Sequence, residues 1–142
     1  MNYKEFDYII GIDPGVNTGI AVWDNKLRKL SYVSTNIAVY AEIHIMHFIN
    51  NDCKTLVRYE DARLRTWFGK EKGTAQLQGA GSIKRDCQRW QEFLTHYEIP
   101  FEEVAPRNNR TKMTAKEFKM LTGWEGQTNE HGRDAAMLVF GL

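Results

Sequence analysis

The stretch Ile10-Gly11-Ile12-Asp13-Pro14-Gly15-Val16-Asn17-Thr18-Gly19 decides how the rest of the chain is read. Tyr8, Ile9, Ile10 and Ile12 have the β-branched and aromatic bias of a buried strand, and the run ends on Asp13. A carboxylate therefore stands at the strand's carboxyl end. Pro14 has no N–H to give a sheet and Gly15 accepts positive φ, so the chain turns here and Asn17 to Asp24 reads as a second strand returning beside the first. Gly15 and Gly19 lack a Cβ, which leaves room for a phosphate or a metal to approach the backbone. Taken alone, a plain hairpin with an exposed Asp at its turn explains the stretch equally well.

Working outward, Asp24-Asn25-Lys26 supplies a turn into a third antiparallel strand over Leu27 to Thr35. Ala38, Ala41, Ile45, Phe48 and Ile49 then recur at helical spacing, which predicts a crossover helix over Ile37 to Ile49. His44 and His47 lie three apart on it, without a third ligand in view, and read as ordinary helical histidines. Lys54 to Glu60 is a fourth strand, and it too ends on an acid. A strand, crossover helix, strand sequence makes this strand parallel to one already in the sheet. If it lies beside the first, Asp13 and Glu60 leave the same sheet edge about 4.8 Å apart, close enough to be bridged by one cation.

Downstream, Asp61 to Gly73 mixes Arg63, Arg65, Lys70 and Lys72 with Trp67 and Phe68. Such a loop holds phosphates and stacks on bases, at about 1 to 3 kcal/mol per stacked base. A loop whose aromatics tuck back onto the core has the same composition. Thr74 to Tyr97 is the longest predicted helix, and Pro100 stops it before a short fifth strand, Phe101 to Ala105. Arg107, Arg110 and Lys112 follow in a loop with Asn108 and Asn109. Thr114 and Glu117 form a capping box for a helix over Ala115 to Leu121 that ends at Gly123, and Thr128 or Asn129 caps a last helix, His131 to Phe140. His131 and Asp134 share a face near its start, with Glu130 four residues before Asp134.

Ile-Gly-Ile-Asp-Pro-Gly followed by Thr-Gly resembles the first motif of the RuvC-type Holliday junction resolvases, a branch of the ribonuclease H-like superfamily. His131-x-x-Asp134-Ala135 at the start of the last helix is similar to their third motif, and the order of strand, Pro106, then Lys112 is similar to their basic site residue. The resemblance implies an α/β, ribonuclease H-like fold in a single domain over 1–142: a five-stranded mixed sheet, its first three strands antiparallel, flanked by helices on both faces. It implies that Asp13, Glu60 and Asp134 ligate catalytic metal, with His131 as a ligand or an aid in orienting water, and that Lys112 lies near the scissile phosphate. Arg63, Arg65, Lys70, Lys72, Arg107 and Arg110 are then backbone-phosphate contacts. Position 63 is Arg where the family carries an aromatic that inserts at the junction, so Trp67 or Phe68 takes that part.

Clustered carboxylates repel one another unless a cation neutralises them, and hard oxygen ligands favour Mg²⁺, with Mn²⁺ able to substitute. Two such ions per site serve hydrolysis of a phosphodiester. The expected function is therefore a structure-selective endodeoxyribonuclease that nicks four-way junctions or other branched DNA, leaving a 5′ phosphate as the resemblance implies. The two-fold symmetry of a junction calls for a homodimer, for which the family uses the helix equivalent to Thr74–Tyr97, although a core-facing amphipathic helix explains the apolar stripe here equally well. The alternative is an inactive nucleic-acid-binding module of the same fold. An actin-like ATPase, a looser match to the first motif, needs a second phosphate loop and an adenosine pocket for which 142 residues leave no room.

Composition fits this reading without forcing it. Net charge is only +1, but residues 61 to 119 hold 12 basic against 8 acidic side chains while both flanks are acidic, as a carboxylate site beside a phosphate-binding rim would be. No apolar run approaches the roughly 18 residues of a membrane span, and the N-terminus lacks a signal peptide's apolar core, so a cytoplasmic protein without membrane contact is expected. Cys53 and Cys87 match no zinc spacing and read as free thiols.

Overall fold

Along β1 (Tyr8–Asp13) the side chains alternate between two cores, Ile9 on one face of the sheet and Ile10 and Ile12 on the other. That period of two, with both sets fully buried, requires helices on both sides. The computed structural model describes residues 1–65 and 74–142, and for 74–80 the backbone only. Its elements are β1, β2 (Thr18–Asp24), β3 (Lys29–Asn36), α1 (Ala38–Asn50), β4 (Thr55–Glu60), α2 (Thr74–His96), β5 (Phe101–Val104), α3 (Ala115–Thr122) and α4 (Glu130–Met137).

The strands form one five-stranded sheet in the order β3-β2-β1-β4-β5. The first three are antiparallel, and β4 and β5 run parallel to β1. This is the mixed α/β arrangement expected from the sequence. On one face Ile10, Ile12, Ile20, Val22, Val57 and Tyr59 pack against Ala41 and Ile45 of α1 and Cys87, Trp90 and Leu94 of α2. On the other, Ile9, Ala21, Trp23 and Leu56 meet Phe118 of α3 and Ala135 and Ala136 of α4. Among the described residues no helix is long and apolar enough to cross a membrane.

Boundaries move by a few residues, with local causes. The Asp24 carboxylate accepts hydrogen bonds from the Lys26 and Leu27 N–H groups, and Arg28 takes φ 55°, so the turn is longer than expected and β3 starts at Lys29. Helix α4 begins one residue early, at Glu130, because the Asn129 side chain caps it by accepting from the Gly132 N–H at 3.1 Å. Thr114 caps α3 through the Glu117 N–H, and Gly123 closes that helix at φ 73°.

Two glycines set the position of α4. A Cβ on Gly11 would fall 2.1 Å from the Ala135 carbonyl oxygen, and one on Gly19 would fall 1.9 Å from that of His131. The last helix therefore lies directly on the backbone of β1 and β2. The missing side chain of Gly19 makes room for a helix rather than for a phosphate. Gly15 is not in the positive-φ region either; the turn is held instead by the Thr18 hydroxyl donating to the Gly15 carbonyl at 2.8 Å.

Candidate active site

Ile12 of β1 pairs with Tyr59 of β4 in parallel register, so the residues that follow, Asp13 and Glu60, leave the sheet side by side at its carboxyl end. Helix α4, seated on Gly11 and Gly19, brings His131 and Asp134 to the same edge. His131 Nδ1 lies 3.1 Å from Asp13 Oδ2. Lys112, at φ 58°, directs its backbone N–H to Asp134 Oδ1 at 2.9 Å. A left-handed conformation at a lysine costs on the order of 1 kcal/mol, and such strain concentrates at functional sites.

The three acids share one electrostatic environment. Burial pushes the Asp13 carboxyl up to about 7; the hydrogen bond from His131 opposes this, and the charges of Glu60 and Asp134 add to it. Glu60 is raised by burial and by Asp134, against the Asn109 hydrogen bond and the pull of Arg65. Asp134 is raised by burial too, against the Lys112 N–H. Each carboxylate is thus held by a donor on one oxygen: Asp13 by His131, Glu60 by Asn109 and Asp134 by Lys112. Among the described residues no protein donor meets the second oxygen of any of them.

This donor set fits a hard divalent cation, since desolvated carboxylates that repel one another and, among the described residues, each keep an oxygen free are what such an ion neutralises. The side chains do not close into a ready-made shell: among the described residues no three His, Cys, Asp or Glu side chains form a coordinating group. Any ion here would complete its coordination with water or substrate oxygens, as Mg²⁺ commonly does. A cavity of about 500 Å³ lined by Phe6, Cys53, Lys54, Tyr97 and Pro100 is at the opposite end of the sheet, away from every acid of the cluster.

The basic residues divide. Arg65, Arg107, Arg110 and Lys112 are exposed, and Arg65 is near enough to Glu60 to act on its charge. Arg63 is half-buried and tied to its neighbours. Its guanidinium donates to both oxygens of Asp61, to Gln91 at 2.9 Å and to the Tyr59 hydroxyl at 3.2 Å. Asp61 is almost sealed from solvent, and these bonds hold its carboxyl below the usual range although burial opposes them. The arginine after the second acid is part of the scaffold. Trp67, Phe68, Lys70 and Lys72 lie outside the described residues.

No family model matches this chain, and no curated protein matches it. The site therefore stands on its own geometry. His44 stacks on Tyr32 at 4.4 Å between ring centroids, as a packed helical histidine does. Cys53 and Cys87 are both free, and Cys87 is buried against the Glu60 carbonyl. The residue that sequence reasoning missed is Asn109. Its amide donates to Glu60 Oε2 at 2.9 Å and to the Asp134 carbonyl at 3.1 Å. Only its place in the loop between the fifth strand and Lys112 pointed toward the site, and an asparagine in a basic loop carries no signal of its own.

Proposed function

We propose that this protein is a metal-dependent, structure-selective endodeoxyribonuclease of the RuvC type, nicking four-way junctions or other branched DNA by phosphodiester hydrolysis. The observation that carries the reading is the meeting of Asp13, Glu60 and Asp134, from β1, β4 and α4, at one sheet edge with one oxygen of each held by a protein donor. Asp13, Glu60 and Asp134 would hold Mg²⁺ or Mn²⁺, two ions per site on the resemblance to that family. When bound, such ions activate water and stabilise the leaving oxygen.

The chain's own residues supply the rest. His131 fixes Asp13 and stands at the rim of the cluster, where it can also orient water. Lys112, with its side chain exposed beside Asp134, offsets charge on the phosphate as water attacks phosphorus and the bond to the 3′ oxygen breaks. Hydrolysis leaves a 3′ hydroxyl and a 5′ phosphate. Arg65, Arg107 and Arg110 contact flanking phosphates, which positions the DNA without reading its sequence. A junction presents two equivalent strands, so the working form is a homodimer acting inside the cell.

The test uses end-labelled four-way junction, linear duplex and RNA/DNA hybrid, each with Mg²⁺ and with chelator. Metal-dependent nicking of the junction in preference to duplex is expected, and Asp13→Asn should abolish it while leaving junction binding intact. Inertness on all three substrates with metal present overturns the enzyme. Junction binding without cleavage would identify an inactive module of the same fold.

A further inference from the structure

We propose that Asn109 is a positioning residue of the acidic site, orienting the Glu60 carboxylate for a divalent cation and tying it to α4; this rests on the functional reading above. The three carboxylates are held in different ways. Asp13 is held by His131 and Asp134 by a main-chain N–H, but Glu60 depends on one side chain from the loop after β5. Both hydrogens of that side chain's Nδ2 are engaged. One goes to Glu60 Oε2 at 2.9 Å and the other to the Asp134 carbonyl at 3.1 Å. A single amide thereby couples the end of β4 to the helix that carries the third acid. Rotating the amide by half a turn would set its oxygen against two acceptors, so its orientation is fixed by its neighbours.

A second observation concerns the other end of the same amide. Asn109 Oδ1 is buried and, among the described residues, has no hydrogen-bond partner. Leaving a buried amide oxygen unpaired is costly, and a residue serving stability alone gains little from such a group. The amide's orientation is thus set by its two acceptors rather than by its own oxygen. Partners that orient a ligating carboxylate change metal affinity by about 10- to 100-fold when they are removed.

The experiment measures Mn²⁺ binding by titration calorimetry, together with the melting temperature of the metal-free protein, for wild type, Asn109→Leu and Asn109→Asp. Asn109→Leu, close in shape and lacking the amide, is expected to bind Mn²⁺ at least about tenfold more weakly with its metal-free melting temperature retained. Asn109→Asp is expected to weaken binding as well, although it adds a negative charge to an acidic cluster, because the donor to Glu60 is gone. In a Glu60→Gln background the Asn109 substitutions should add no further loss. Wild-type affinity in Asn109→Leu, or tighter binding in Asn109→Asp, overturns the positioning role and leaves the nuclease reading standing. If Asn109→Leu fails to fold, Asn109→Asp decides alone. A wild-type protein indifferent to Mn²⁺ overturns both readings.

Discussion

Asp13 carries a carboxyl whose proton is held up to about 7, chiefly by burial, and its charged form is therefore a burden on the metal-free fold. The folded protein binds this proton more tightly than the unfolded chain does between the ordinary carboxylate range and about 7. Stability without metal is consequently greatest on the acid side of that window and falls as pH rises through it. A divalent cation competes with the proton, so Mn²⁺ should raise the melting temperature more at pH about 8 than at pH about 5. Asp13→Asn should remove most of that metal effect and flatten the metal-free profile; equal Mn²⁺ shifts at both pH values would contradict this. Arg63 makes the opposite point about single residues. From composition it belonged with the phosphate contacts, yet its place two residues after the buried Asp61 ties its guanidinium to that carboxylate. Arg63→Ala should lower stability by about 3 kcal/mol in denaturant melts, as expected when a buried charge loses its partner. The exposed Arg107→Ala should leave stability unchanged.

At the scale of elements, what was legible followed from periodicity and punctuation. The ends of β1 and β4 could be read because apolar runs stop on acids at Asp13 and Glu60, and α3 because Thr114 and Gly123 bracket it. What could not be read were contacts between elements far apart in sequence. Gly19 looked like a ligand-facing glycine and proved to be the seat of α4. Asn109 looked like loop filler and proved to be bonded to Glu60. Neither depends on local spacing, so no window of sequence contains them. Gly19→Ala tests the seat directly. A methyl group 1.9 Å from the His131 carbonyl must push the helix away, and overpacking of this kind costs about 1 to 3 kcal/mol. Because His131 and Asp134 travel with α4, the variant should also lose Mn²⁺ affinity out of proportion to its fall in melting temperature.

At the scale of the whole molecule, Asp13 and Glu60 end neighbouring parallel strands, and the loop after β5, which reaches Glu60 through Asn109, carries the exposed Arg107 and Arg110 on either side of that residue. If that loop carries DNA, the double variant Arg107→Ala/Arg110→Ala should weaken junction and duplex binding alike. The slope of log affinity against log salt should also shrink by about 1 for each lost contact. A filter-binding series over ionic strength measures this, and an unchanged slope removes those two residues from the interface.

The resting of α4 on the bare backbone of β1 and β2 also has a bearing on biosynthesis. The acidic cluster needs side chains numbered 13, 60 and 134, so a ribosome that has delivered only the sheet has made a framework with two of its three acids. If the proposed nuclease reading holds, a polypeptide released early, or clipped ahead of its last helix, would lack the third acid, and competence to cut would arrive only when that helix docks.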